Sequence, residues 1–185
     1  MPYRSSMRIA ALALVSAAAL VLVGCTPAPH PTSSPKPTAT PVFRTDAEAL
    51  AAAEKAYRAY EAAVDESLTL ANDRGLSQVA TAQALKASME SISKFKSSGR
   101  RQVGKSIVEH VRPANLSSLL GSRPTGAQIY ACLDVSAVLI VDAQGNDTSV
   151  SGRETVYPTL VTLQWKRSRL LVSDESVWDG ANFCH

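Results

Sequence analysis

The chain has 185 residues, 45% of them hydrophobic, and a formal net charge of +3. That length suits one ordinary domain with appendages, and so small a charge excess excludes a nucleic-acid partner recruited by bulk charge. The three histidines, His30, His110 and His185, are scattered and no Cys-x-x-Cys occurs. No metal site, redox pair or cofactor is therefore expected.

Arg4 and Arg8 open the chain with positive charge, and Ile9 to Val23 is apolar except for Ser16. This run falls short of the roughly 20 residues of a stable membrane span. A basic start followed by a short apolar run has the form of an export signal. Met7 is an alternative start, since Arg8 alone still supplies the charge. The run ends in Leu22-Val23-Gly24-Cys25, which resembles the lipobox of bacterial lipoproteins. The resemblance implies cleavage between Gly24 and Cys25 and a diacylglyceryl group on the Cys25 sulfur. It also implies palmitate-type acylation and a mature protein on the extracytoplasmic face of the cell membrane. Two acyl chains anchor stably where one is marginal, each buried methylene adding about 0.8 kcal/mol. The leader holds two arginines and no acid, so +3 becomes +1 in the mature chain. The alanine-rich composition points to an actinobacterial source.

Residues 25–44 form the tether. Pro27, Pro29, Pro31, Pro35, Pro37 and Pro41 stand among Thr, Ser and Ala. Proline removes the backbone donor that helices and sheets need, so the segment is expected to be an extended spacer. Sixteen residues, Thr26 to Pro41, at about 3.1 Å each reach ~50 Å. With Cys25 lipidated, Cys132 and Cys184 remain. Outside the membrane such a pair is expected to oxidise to a disulfide. It would close a loop worth about 4 kcal/mol in the chain-entropy model.

Residues 45–185 form the domain. Thr45-Asp46-Ala47-Glu48 has the pattern of a capping box with Thr45 as N-cap. Leu50, Ala53, Tyr57, Tyr60, Val64 and Leu68 then recur at helical steps, predicting a helix of about 25 residues. Asn72-Asp73-Arg74-Gly75 breaks it. A second helix is expected from Ser77 to Ser93, with Val79, Ala82, Leu85, Met89 and Ile92 on one face. Strand-like segments follow: Val103 to Val111, Ile129 to Asp134, Val135 to Val141, Thr155 to Trp165 and Arg169 to Trp178. The apolar run after Asp134 suggests burial on both faces or a bend there, and Pro158 suggests an edge strand or a bulge. Cys184 would staple the C-terminus to the strand carrying Cys132.

Two helices before four to five antiparallel strands make an α+β pattern. A long first helix with inner aromatics followed by a curved sheet resembles the NTF2-like cone fold. Tyr130-Ala131-Cys132-Leu133-Asp134 with Trp178 and Phe183-Cys184 is similar to a group of actinobacterial lipoproteins. The fold resemblance implies a pocket between the first helix and the sheet, with Tyr57, Tyr60 and Asp134 as its candidate polar residues. A tyrosine there would donate to a developing oxyanion and the aspartate would move a proton. The competing reading makes the tyrosines core residues and Asp134 a turn residue. No histidine or second acid joins them in the pattern, and no nucleophile elbow occurs. Lys94, Lys96, Arg100, Arg101 and Lys105 form a basic run with no acid between Glu90 and Glu109. It suits either a solvated face or contact with an anionic surface. The expected function is a non-catalytic binding or interaction module of the cell envelope, its partner a protein, a polymer or a small apolar ligand. The alternative is a pocket enzyme of the dehydratase or isomerase type.

Overall fold

The computed structural model describes residues 40–184. The leader, Cys25 and nearly all of the tether lie outside the described residues, as do His30 and His185. Thr38–His185 forms a compact unit. All the core residues described below belong to it, so this segment has what it needs to fold by itself.

Helix α1 spans Asp46–Leu70, 25 residues. Thr45 caps it, its hydroxyl accepting the Glu48 N–H at 3.2 Å. The Glu48 carboxylate reaches back to the Arg44 N–H at 2.8 Å, one residue beyond the reciprocal partner of a capping box. The second expected helix is two helices. α2 is Leu76–Val79 and α3 is Ala82–Ser97. Between them Ala80 and Thr81 are extended, Ala80 bridges to Val172, and the Thr81 N–H donates to the Val172 carbonyl at 2.8 Å. A sheet edge with free backbone groups captures this short stretch. The split also rotates α3. Its buried row is Ala84, Ser88 and Ile92, while Met89 of the expected face is 45% exposed.

Six strands follow: β1 Arg101–Val103, β2 Ile107–Asn115, β3 Gly126–Asp134, β4 Leu139–Val141, β5 Val156–Lys166 and β6 Arg169–Val177. β2-β3-β5-β6 form a four-stranded antiparallel sheet, and β1 pairs antiparallel with β4 in a separate ribbon. The strand expected over Val103 to Val111 is thus divided at Gly104-Lys105-Ser106. Gly104 has φ +88°, and a Cβ there would lie 1.9 Å from the Ala137 carbonyl oxygen. Only glycine lets this loop close onto the β3–β4 turn. The apolar run after Asp134 bends out of the sheet and re-pairs as β4. Pro158 lies on an interior strand, not an edge. It falls one residue outside the last β5–β6 pair, Thr159 with Val177, and its carbonyl accepts the Trp178 N–H at 2.7 Å. Its missing donor thus costs no ladder bond.

The helices cover one face of the four-stranded sheet. Ala49, Ala53 and Tyr57 of α1 meet Ile129 and Ala131 of β3, Val161 and Leu163 of β5, and Val172 of β6 in one buried core. The fold is α+β, with helices packed on antiparallel strands.

The opposite face is covered at one corner by the C-terminal tail. Cys184 is disulfide-bonded to Cys132 of β3. Tyr130 packs edge-on against Trp178 and Phe183, at 4.9 and 5.9 Å between ring centroids. The Arg112 guanidinium lies 3.7 Å from the centre of the Phe183 ring.

Candidate functional site

The buried row of α1 runs at steps of four: Ala49, Ala53, Tyr57, Glu61 and Asp65. Its first half is apolar and its second half carries two carboxyls. Both Glu61 and Asp65 are 5% exposed, so each needs partners to offset desolvation.

Asp65 has three. Its carboxylate accepts from Gln102 Nε2 at 2.6 Å, from the Ser106 N–H at 2.8 Å and from Ser106 Oγ at 2.9 Å. This residue ties α1 to β1 and to the loop before β2. Its role is to hold backbone and side-chain donors in place.

Glu61 is held differently. It meets Glu175 of β6, and the two carboxyls hydrogen-bond to each other. Burial first, and then the charges of Glu175 and Asp65, push the Glu61 carboxyl well above its ordinary range. Glu175 is also raised, chiefly by burial, with hydrogen bonds from Tyr57 and Glu61 opposing the rise. Two carboxylates in contact inside an apolar wall do not both ionise readily. The Tyr57 hydroxyl donates to Glu175. Burial and the adjoining carboxylates raise the Tyr57 phenol, which stays a neutral donor.

A bulge places Glu175 there. Thr162 pairs with Asp174 but Leu163 pairs with Val172, leaving Ser173 as an extra residue in β6. Simple alternation from the buried Val172 would turn Glu175 away from the helices. The bulge shifts the phase, pairs Glu175 with Val161 and aims it at Tyr57.

Tyr57 and Tyr60, both expected at the pocket, are brought together as near-parallel rings 6.3 Å apart. Tyr60 points the other way chemically. Its hydroxyl pairs with Ser88 Oγ at 3.0 Å, and Ser88 donates to the Ala84 carbonyl. Burial raises the Tyr60 phenol too. Asp134 is not part of this group. It ends β3, where its carboxylate accepts the Ser136 N–H at 2.7 Å. That bond holds its carboxyl below the ordinary range. The acids beside the tyrosines are Glu61 and Glu175, not Asp134.

Glu61 and Asp65 also line a cleft of about 550 Å³ between the C-terminal half of α1 and the start of β2. Leu70, Ile107 and Val108 give it an apolar wall, and Lys105 stands at its rim. Leu70 is 59% and Ile107 48% exposed. Arg58 lies beside it, but its guanidinium is occupied by the Val108 carbonyl and by Glu54 at 2.7 Å. His110 sits in the left-handed region at a second bulge in β2, with φ 46°. Among the described residues no group of three or more His, Cys, Asp or Glu is placed to hold a metal ion. Among them, too, no helix is long and apolar enough to cross a membrane.

The basic run is exposed throughout. Lys94 and Lys96 lie in the last turn of α3, and Arg100 stacks on Phe95 at 5.6 Å. Arg101 opens β1, and Lys105 lies in the loop after it.

Compared with known proteins, the chain matches no family model. No curated protein matches it. Among solved structures it is similar to the intermembrane space region of the chloroplast protein ARC6, with a TM-score of 0.54 and 16% identity. The match covers 73% of this chain and 98% of that one. At that identity the likeness is one of fold alone.

Proposed function

We propose that the chain is a lipid-anchored extracytoplasmic lipoprotein of the cell envelope. Its domain, of the NTF2-like cone type, acts as a binding module that takes its ligand or partner in the cleft between α1 and β2. The observation that carries this reading is the cleft: an apolar wall beside polar groups already engaged with one another. Asp65 has three donors and Glu175 has Tyr57 and Glu61, while no histidine lines the cavity. A concave apolar surface with a few fixed polar groups is the usual form of a small-ligand site. Support for the location comes from the leader, from Gly24-Cys25, and from a disulfide of the kind oxidising compartments favour.

Two measurements test it. A palmitate analogue fed to the producing cells should label the wild type and not Cys25→Ser; equal labelling of both would remove the anchor. For the cleft, anilinonaphthalene sulfonate serves as an apolar probe. Ala62→Trp, at an exposed wall position, should abolish its binding without altering the circular dichroism. Unchanged dye binding would place the ligand elsewhere.

One observation favours a second reading, a pocket enzyme of the dehydratase or isomerase type. Glu61 is an acid on the cleft wall whose carboxyl is raised by burial and by Glu175. Such a group has the proton that general acid catalysis needs. In that reading Glu61→Gln abolishes turnover, whereas a binding module keeps its affinity for the dye.

A further inference from the structure

Five cations of α3, β1 and the loops on either side of β1 follow one another at one end of the domain, and the β1–β4 ribbon adds exposed apolar groups. Val103 of β1 pairs across the ribbon with Leu139 of β4. Cross-strand partners share a face, and these two are 38% and 42% exposed. Arg101, two residues before Val103, falls on the same face. Lys105 follows across Gly104, Lys94 and Lys96 lie in the last turn of α3, and Arg100 lies in the loop between α3 and β1. Among the described residues the ion pairs join other side chains, Lys86 with Glu90 and Arg58 with Glu54. Asp142, at the edge of this region, is engaged by Asn146 and by the Gln144 N–H.

We propose that this face, the β1–β4 ribbon with the C-terminal end of α3, rests on the anionic phospholipid surface of the membrane. Cations suit phosphate headgroups, and an outward aliphatic pair suits the shallow apolar layer beneath them. A soluble acidic polymer would use the charges and leave Val103 and Leu139 in water. The proposal builds on the reading of Cys25 as an anchor, which keeps the local concentration of bilayer high. Asp65, one helix length from the tether, marks this end of the domain. The distance along α1 from Asp46 to Asp65 is about 28 Å, and a tether of the expected form reaches ~50 Å. Attachment at the other end therefore does not keep this face off the bilayer.

The test uses Thr38–His185, which lacks the lipid, so its outcome is independent of Cys25 labelling. Co-sedimentation with vesicles of equal phosphatidylglycerol and phosphatidylcholine should show binding that high salt removes. Phosphatidylcholine vesicles alone should show none. Arg101→Glu with Lys105→Glu should weaken association at least about tenfold, given some fivefold per charge. Lys166→Glu with Arg167→Glu, at the β5–β6 hairpin, should leave it unchanged. Val103→Ser with Leu139→Ser should weaken binding while leaving all five cations in place. Equal binding to neutral vesicles, equal loss in the hairpin variant, or no loss in the serine variant would each overturn the proposal. Complete competition by soluble polyglutamate would assign the face to an acidic polymer instead.

Discussion

On its inner face the four-stranded sheet is closed by α1, whose buried row includes two carboxyls. On its outer face it is covered at one corner by Trp178 to Cys184, a stretch without regular structure. The inner cover excludes water by area, because a 25-residue helix lays a continuous row against a core drawn from all four strands. It can then afford polar groups, since each has a partner. The outer cover is too short to do this. Asp179, Gly180, Ala181 and Asn182 are exposed, and the tail holds by three rings, one guanidinium and a covalent bond. Burial holds one side and a cross-link the other, so the two respond to different perturbations.

The largest expected effect is on the outer side. Cys184→Ser should lower unfolding free energy by about 2–5 kcal/mol, because the bond closes a long loop in the unfolded chain. Denaturant unfolding under oxidising conditions reads this directly. A loss below about 1 kcal/mol, the scale of single aromatic or cation–π contacts, would mean that Trp178, Phe183 and Arg112 hold the tail themselves. The two faces would then differ less than their construction suggests.

The next effect is on the inner side. Asp65→Ala removes one acceptor and strands three donors, those of Gln102 and Ser106. Hydrogen bonds to a charged group contribute about 1.5–3 kcal/mol each, but three sharing one carboxylate do not add. A loss of about 3 kcal/mol is expected. Hydrogen exchange should rise in the Gly104-Lys105-Ser106 loop before it rises in β3 or β5. Asp65→Asn, which keeps one acceptor oxygen, should lose less. Equal exchange across the whole sheet would show that Asp65 supports the core and not the loop.

How far these groups were legible in the sequence follows from the physics of each. Thr45, the length of α1 and the Cys132–Cys184 pair were readable because capping, periodicity and cysteine count act locally or by elimination. The buried role of Tyr57 and Tyr60 was readable from the same stripe. Glu61 and Asp65 were not, although they continue the four-residue steps from Ala49. An apolar stripe is found by looking for apolar residues, and these two positions break that rule. The signal was the spacing alone. Glu175 was further out of reach, since strand alternation places it on the wrong face. Only the register shift at Ser173 turns it inward, and that shift depends on pairing between strands. The break between α2 and α3 was hidden for a similar reason: Ala80 and Thr81 leave the helix to meet a strand more than ninety positions later.

The smallest expected effect separates the two inner carboxyls from each other and has the opposite sign to Asp65→Ala. Glu61 is held above its ordinary value of 4.5 by burial and by Glu175 and Asp65. A carboxyl raised in the folded state binds more protons there than in the unfolded chain. Its contribution is therefore fully present below the ordinary carboxylate range and is lost as pH rises toward the folded value. At neutral pH the wild type carries that loss. Glu61→Gln keeps the shape and a donor toward Glu175, but it has no proton to surrender. It should be more stable than wild type near neutrality by about 1 kcal/mol, the common scale of a single stabilising change. Its advantage should shrink as pH falls from neutrality toward 4.5 and level off below that. The remaining slope belongs to Glu175, which is raised in the same direction. Thermal unfolding of both proteins across this range makes the measurement. Parallel curves for wild type and Glu61→Gln would mean that Glu61 ionises freely in the folded protein. The inner face would then tolerate a bare charge that the outer face, open to water, accommodates without cost.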